Sequence, residues 1–111
     1  MKTSDLTGNA LDWAVGVAEG EQLTVRDRFP CVLNPGGRWN PSSNWSQGGP
    51  IIDRWDIALC PGYQWEASTF VESYGDTEAV ICYGVTPLIA AMRCYVASKL
   101  GDEVDVPAIL P

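Results

Sequence analysis

Residues 86–101 read TPLIAAMRCYVASKLG, a run that carries its own start and stop signals. Thr86 is an N-cap residue type, Pro87 falls in the first turn, where its missing N–H is not needed, and Gly101 supplies a stop. The spacing predicts a helix over about residues 87–100. Arg93 is the only charge in its body, and Ala90, Cys94, Ala97 and Gly101 form a stripe of small residues along it. A helix without a polar face must be covered, either in its own core or at a subunit interface.

What could cover it lies upstream. From Ile57 the pattern is that of strands: IALC, a Pro61-Gly62 turn, then Tyr63, Trp65, Ala67, Thr69 and Val71 alternating with Gln64, Glu66, Ser68 and Phe70. That alternation predicts a half-buried strand in a hairpin. After the turn SYGDT comes EAVICY, whose apolar and β-branched content suits a central strand.

At the other end, Thr7 is a second N-cap type, and Leu11, Ala14, Val15 and Ala18 recur at helical spacing up to Gly20. A helix over about residues 8–19 follows, with Trp13 and Val17 widening its apolar face and Asp12, Gly16 and Glu19 on the opposite side. Residues 21–33 hold two short extended segments, EQLTVRD and PCVL, that suit a strand or hairpin, and NPGG at 34–37 is a turn.

Between these regions lies RWNPSSNWSQGGPIIDRW, residues 38–55. Ser42, Ser43 or Asn44 can cap one helical turn that Gly48 and Gly49 end, and Pro50 can open a second. The pattern as a whole predicts one α+β domain over residues 1–111. Its N- and C-terminal helices pack on a small antiparallel β-sheet as a layered sandwich, with short helical turns in the central segment.

Composition narrows the function. Fourteen acidic against seven basic residues give a net charge of −7, which repels a phosphate backbone or an anionic membrane surface, so neither a nucleic-acid polymer nor a membrane is an expected partner. Mimicry of DNA would need ordered carboxylates, whereas the acids here are scattered apart from Asp102, Glu103 and Asp105. No run is apolar and long enough to span a bilayer, and no cleavable signal pattern is seen. Cys31, Cys60, Cys82 and Cys94 form no C-x-x-C pair, and no histidine is present to complete a zinc site, so free and mostly buried thiols, and no metal or cofactor, are expected.

Without histidine the usual Ser-His and Cys-His arrangements are excluded. The phosphate-cradling glycine motifs are absent too. A pair drawn from Asp53, Asp56, Glu66 and Glu72 could in principle act on a small substrate, but spacing does not bring any two together. The chain is therefore expected to bind rather than catalyse.

For binding, the central segment is the first place to look. Trp39, Trp45 and Trp55 can pack irregular backbone or stack on a ligand. Asn40, Ser42, Ser43, Asn44 and Gln47 can orient a ligand or cap their own backbone. Arg54 and Arg93 can pair with a carboxylate, reach solvent or meet an anion, and Arg38 beside Trp39 could stack. The candidate ligand-binding residues are Trp39, Asn40, Ser42, Ser43, Asn44, Trp45, Gln47 and Arg54, joined by Thr86 and Arg93 from the last helix.

Three blocks, MKTSDLTGNALDWAV, NPSSNWSQGGPIIDR and TPLIAAMRCYVASKLGDEVDVP, together about half the chain, resemble the NinX-type proteins of lambdoid bacteriophages and, more loosely, the phage ABA sandwich domain. Where the family usually has Asp, this chain has Asn44, which removes a charge and a metal ligand but keeps capping ability. Residues 21–37 and 61–84 show no such resemblance. The resemblance implies a phage accessory protein of the host bacterial cytoplasm, with helices on an antiparallel sheet. By analogy of class, it implies counter-defence by sequestering a nucleotide-derived immune signal of the cyclic oligonucleotide or cyclic ADP-ribose type. The alternative is a protein-binding module that inhibits a host protein, since hot-spot surfaces are also rich in Trp, Tyr and Arg. The all-round apolar last helix makes a homo-oligomer a further expectation.

Overall fold

In a computed structural model that describes residues 1–33 and 36–110, the 86–101 stretch forms the centre of the molecule. A 3-10 turn at Thr3–Asp5 leads into α1 (Gly8–Glu19). The chain then runs through β1 (Leu23–Arg26), β2 (Phe29–Val32), β3 (Gly37–Arg38), α2 (Trp45–Arg54), β4 (Ala58–Cys60), β5 (Trp65–Ser73), β6 (Asp76–Gly84) and α3 (Pro87–Leu100). The fold is α+β, as the sequence pattern indicates. The turn read at 34–37 falls partly on Asn34 and Pro35, which lie outside the described residues.

The described residues form two antiparallel three-stranded sheets, ordered β1-β2-β3 and β4-β5-β6, where the sequence suggested one. Contacts run from the second sheet to α3, from α3 to α1, and from α1 to β1 and β2. This layering explains the apolar circumference of α3. Leu88, Ala90, Ala91, Met92, Cys94, Tyr95 and Val96 are all buried, because the helix meets β5 and β6 as well as α1 and α2. Its covering is intramolecular, so the helix itself gives no reason to invoke a second subunit. Each large side chain buried there contributes roughly 1.5–3 kcal/mol.

The same layering corrects the reading of α1. Asp12 and Gly16, expected on its polar side, are buried, whereas Val17, expected on its apolar face, is exposed. The side carrying Asp12 and Gly16 receives the first sheet and the central segment. A Cβ on Gly16 would lie 2.6 Å from Leu23 Cδ1 and 3.0 Å from Trp39 Nε1, so a side chain there would displace both.

The hairpin of β5 and β6 closes at Tyr74 and Gly75, and its register runs from Ser73 opposite Asp76 to Trp65 opposite Gly84. Ala67 and Thr69 face inward as the alternation predicts. The sequence suggested that EAVICY is a central strand, but β6 is an edge and β5 is central. Its apolar residues serve two faces. Val80 and Cys82 pack inward, and Ile81 and Tyr83 point out.

The central segment differs most from expectation, since one ten-residue helix replaces two separate turns. Asn44 caps it, its side chain accepting the Ser46 N–H at 2.9 Å. The helix continues through Gly48, Gly49 and Pro50 because its inner side is fixed by packing. A Cβ on Gly48 would lie 2.5 Å from the Pro41 carbonyl oxygen and 2.7 Å from Leu88 Cδ2, and Ile51 is buried in the core. Tertiary contact here overrides the poor helix propensity of Gly and Pro.

Candidate functional site

Most of the polar groups expected to meet a ligand are hydrogen-bonded to the protein itself. Gln47 Oε1 accepts the Asn40 N–H at 2.7 Å while its Nε2 donates to the Arg38 carbonyl at 2.9 Å. Asn44 Nδ2 donates to Asn40 Oδ1, and Asn40 O accepts the Ser43 N–H. The Ser42 N–H donates to Asp12 Oδ1 at 2.8 Å. Burial pushes the Asp12 carboxyl up from its ordinary value, against the opposing pull of the Ser42 bonds and of Arg38. Trp39 is 9% exposed, and its Nε1 is the one buried side-chain polar atom without a partner among the described residues.

The arginines are engaged as well. Arg93 Nε donates to the Leu6 carbonyl and one terminal nitrogen donates to the Tyr83 carbonyl, both at 2.8 Å, so it bridges the N-terminal segment and β6. Arg54 pairs with Glu19, whose other oxygen accepts from the Tyr95 hydroxyl. Burial, followed by Glu19, pushes the Tyr95 hydroxyl up, and the Glu19 bond raises Arg54. Arg38 lies over Phe29, 4.1 Å from its centroid, and not over Trp39. Trp55 is flanked by Tyr95 and by the Lys99 ammonium, 3.2 Å from its centroid.

Four of the ten candidates do converge. Ser42, Ser43, Trp45 and Thr86 line one cavity of about 290 Å³ together with Pro87, Leu88 and Ile89. It sits where α2 begins at Trp45 and α3 begins at Pro87, so two helix N-termini border the same space. Thr86 Oγ1 accepts the Ile89 N–H at 3.1 Å, and Asn44 caps the other helix. Trp45 is 54% exposed and is the tryptophan of the central segment most open to solvent. Trp39, Asn40 and Gln47 do not line this cavity, Trp39 being buried in the core and Asn40 and Gln47 bonded to each other, and neither Arg54 nor Arg93 lines it.

A larger cavity, about 440 Å³, lies at the β4–β5 turn, lined by Cys60, Pro61, Gly62, Tyr63, Gln64, Glu66 and Tyr83. The sequence marked Pro61 and Gly62 only as a turn. The signal that could have found it is the short turn at Tyr74-Gly75, which fixes the register and places Tyr83 opposite Glu66. Of the four free thiols only Cys94 is fully buried and Cys60 is exposed, contrary to the expectation of mostly buried cysteines. Among the described residues no His, Cys, Asp or Glu cluster of metal-binding geometry is present. Among the described residues no helix is long and apolar enough to cross a membrane.

Fold and site together define a small α+β protein in which two helices lie between two antiparallel sheets and two helix starts share one solvent-open cavity. The chain belongs to the family described as Bacteriophage P22, NinX, whose family model matches residues 2–99. That span includes residues 21–37 and 61–84, where inspection of the residues alone finds no resemblance. No curated protein matches the chain.

Proposed function

We propose that this phage protein acts by binding, without catalysis, and counters a bacterial defence in the host cytoplasm by sequestering a nucleotide-derived signal of the cyclic oligonucleotide or cyclic ADP-ribose type. The observation that carries the reading is the cavity where α2 and α3 begin, walled by Trp45 on one side and by Pro87, Leu88 and Ile89 on the other. Trp45 offers a stacking face to a base. The N-termini of α2 and α3 offer partial positive charge to a phosphate, so an anion can be met without a cationic side chain. This removes the difficulty posed by a net charge of −7. Ser42 and Ser43 line the same cavity, but Ser42 is bonded to Asp12 and the Ser43 hydroxyl donates to the Asn40 carbonyl, so the ring of Trp45 and the two helix starts carry the binding.

The cavity is at the small end of the roughly 300–1,000 Å³ of ligand sites, so one base with its phosphate, rather than a whole cyclic trimer, is the expected enclosed part. A thermal-shift screen against cyclic dinucleotides, cyclic trinucleotides and cyclic ADP-ribose isomers tests the proposal. A true ligand at a hundredfold excess over Kd stabilises the fold by about 2.7 kcal/mol. Stabilisation by none of them at about 100 µM, a level that reveals affinities in the micromolar range, would sink the reading.

A further inference from the structure

The outer face of the second sheet is a separate surface. Its rows follow from the register: Cys60, Glu66 and Tyr83; Ala58, Ser68 and Ile81; Phe70 and Ala79; Glu72 and Thr77. Phe70 is 72% exposed, Tyr83 51% and Ile81 49%, and Tyr63 at the adjoining turn is fully exposed. No described element covers this face, and β6, nine residues long, borders it as an edge strand without proline or lysine. Edge strands of this kind are usually protected, so one left open beside an apolar face fits a surface kept for a partner.

Charge decides which partner. From Trp55 to Met92 the chain carries Asp56, Glu66, Glu72, Asp76 and Glu78 and not one Lys or Arg. Of the cations that come near, Arg93 is engaged on backbone carbonyls and Lys99 lies over Trp55, while Lys2, at the Ile81 end of the face, sits beside Asp102 and Glu103 in one cavity lining, so the balance there stays acidic. A second copy would oppose like-charged faces, and nucleic acid or an anionic membrane would be repelled.

We infer that this face docks a protein segment bearing arginine or lysine side chains, and that the cavity of about 440 Å³ beside Tyr63, Tyr83 and Glu66 takes one of its cationic groups. Tyrosine rings attract a cation over their faces, and the Glu66 carboxylate, already accepting from the Tyr83 hydroxyl at 3.3 Å, supplies the counter-charge. If the segment is extended, β6 can pair with its backbone at positions before Tyr83, whose carbonyl already accepts from Arg93. The surface is independent of the cavity between the two helix starts.

The test is an NMR titration of the ¹⁵N-labelled protein with a short peptide alternating arginine with threonine and valine, and with its glutamate-for-arginine analogue. The expected result is amide shifts on Glu66, Ile81 and Tyr83 with the arginine peptide only. Glu66→Gln, nearly isosteric, should weaken binding about tenfold, the equivalent of one lost charge pair. Phe70→Ser should weaken it as well, and Trp45→Ala should leave it unchanged. Shifts confined to the Asp102–Asp105 region, equal binding of the two peptides, no binding, or self-association of the protein through this face would each overturn the inference.

Discussion

Asp12 in α1 and Ser42 in the central segment are joined by one buried hydrogen bond, the Ser42 N–H donating to Asp12 Oδ1 at 2.8 Å. It fixes the tryptophan-rich segment against the first helix, so the position of Trp45 depends on a bond from Ser42 to a residue thirty positions upstream of that serine. Removing the acceptor leaves a buried N–H unsatisfied. Asp12→Ala should therefore cost about 1–3 kcal/mol in chemical denaturation.

Asp12→Asn keeps an acceptor and removes the charge, which makes the pH dependence informative. Burial raises the carboxyl pKa in the folded state, so the folded protein holds this proton more tightly than the unfolded chain. The contribution of Asp12 to stability is complete below its unfolded value, near 3.9, and is lost as pH rises through the raised folded value. Urea titrations at several pH values should show the wild type losing ground to Asp12→Asn as pH rises from about 4 towards neutrality. A difference independent of pH would show that Asp12 does not titrate there.

The adjacent glycines of α2 should respond in opposite directions. A Cβ at Gly48 would meet the Pro41 carbonyl oxygen at 2.5 Å, whereas one at Gly49 would meet only Trp45 Cε3, at 3.9 Å. Gly49→Ala should stabilise by about 0.5–1 kcal/mol through helix propensity. Gly48→Ala should destabilise in spite of the same propensity gain, because backbone cannot yield as a flexible side chain can. Thermal melts of the two variants check both signs.

Arg93 behaves in this account as a brace. Arg93→Ala removes two charge-assisted bonds to the Leu6 and Tyr83 carbonyls and should cost roughly 2–3 kcal/mol, while Trp45→Ala, at an exposed position, should change stability by no more than about 1 kcal/mol. Lysine cannot serve both carbonyls in a fixed fork, so Arg93→Lys should recover only part of the loss. Denaturation midpoints of the three variants make the comparison.

Elements whose signals are local could be read from the sequence. Helix α3 lies where its cap and periodicity put it, and α1 where periodicity and Gly20 put it, with Thr7 at its N-cap position but making no side-chain cap bond. The alternation from Trp65 to Thr69 marks the inward face of β5, whereas Tyr63, read as part of the same strand, lies before it and is exposed. What could not be read was set by contacts distant in sequence. Gly48 and Pro50 look like breaks, and only the Pro41 carbonyl, Leu88 and the burial of Ile51 show why one helix crosses them. Asp12 looks like a solvated charge until Ser42 is placed beside it. The apolar content of β6 suited a central strand, because the sequence does not tell which of its faces a second layer covers. The cavity at the helix starts was half legible: Ser42, Ser43, Trp45 and Thr86 were singled out, but Leu88 and Ile89, which complete its wall, look from spacing like plain core.

Whether the cavity at the starts of α2 and α3 binds a nucleotide-derived signal through Trp45 can be read from calorimetric titration. Wild type and Trp45→Ala would be titrated with whichever cyclic nucleotide stabilises the wild type most in the thermal screen. The expected result is saturable binding to the wild type and a loss of at least about tenfold in affinity, roughly 1.4 kcal/mol, in Trp45→Ala, with folding still cooperative. Equal affinity in the two proteins, or no heat of binding from any cyclic nucleotide, would contradict it.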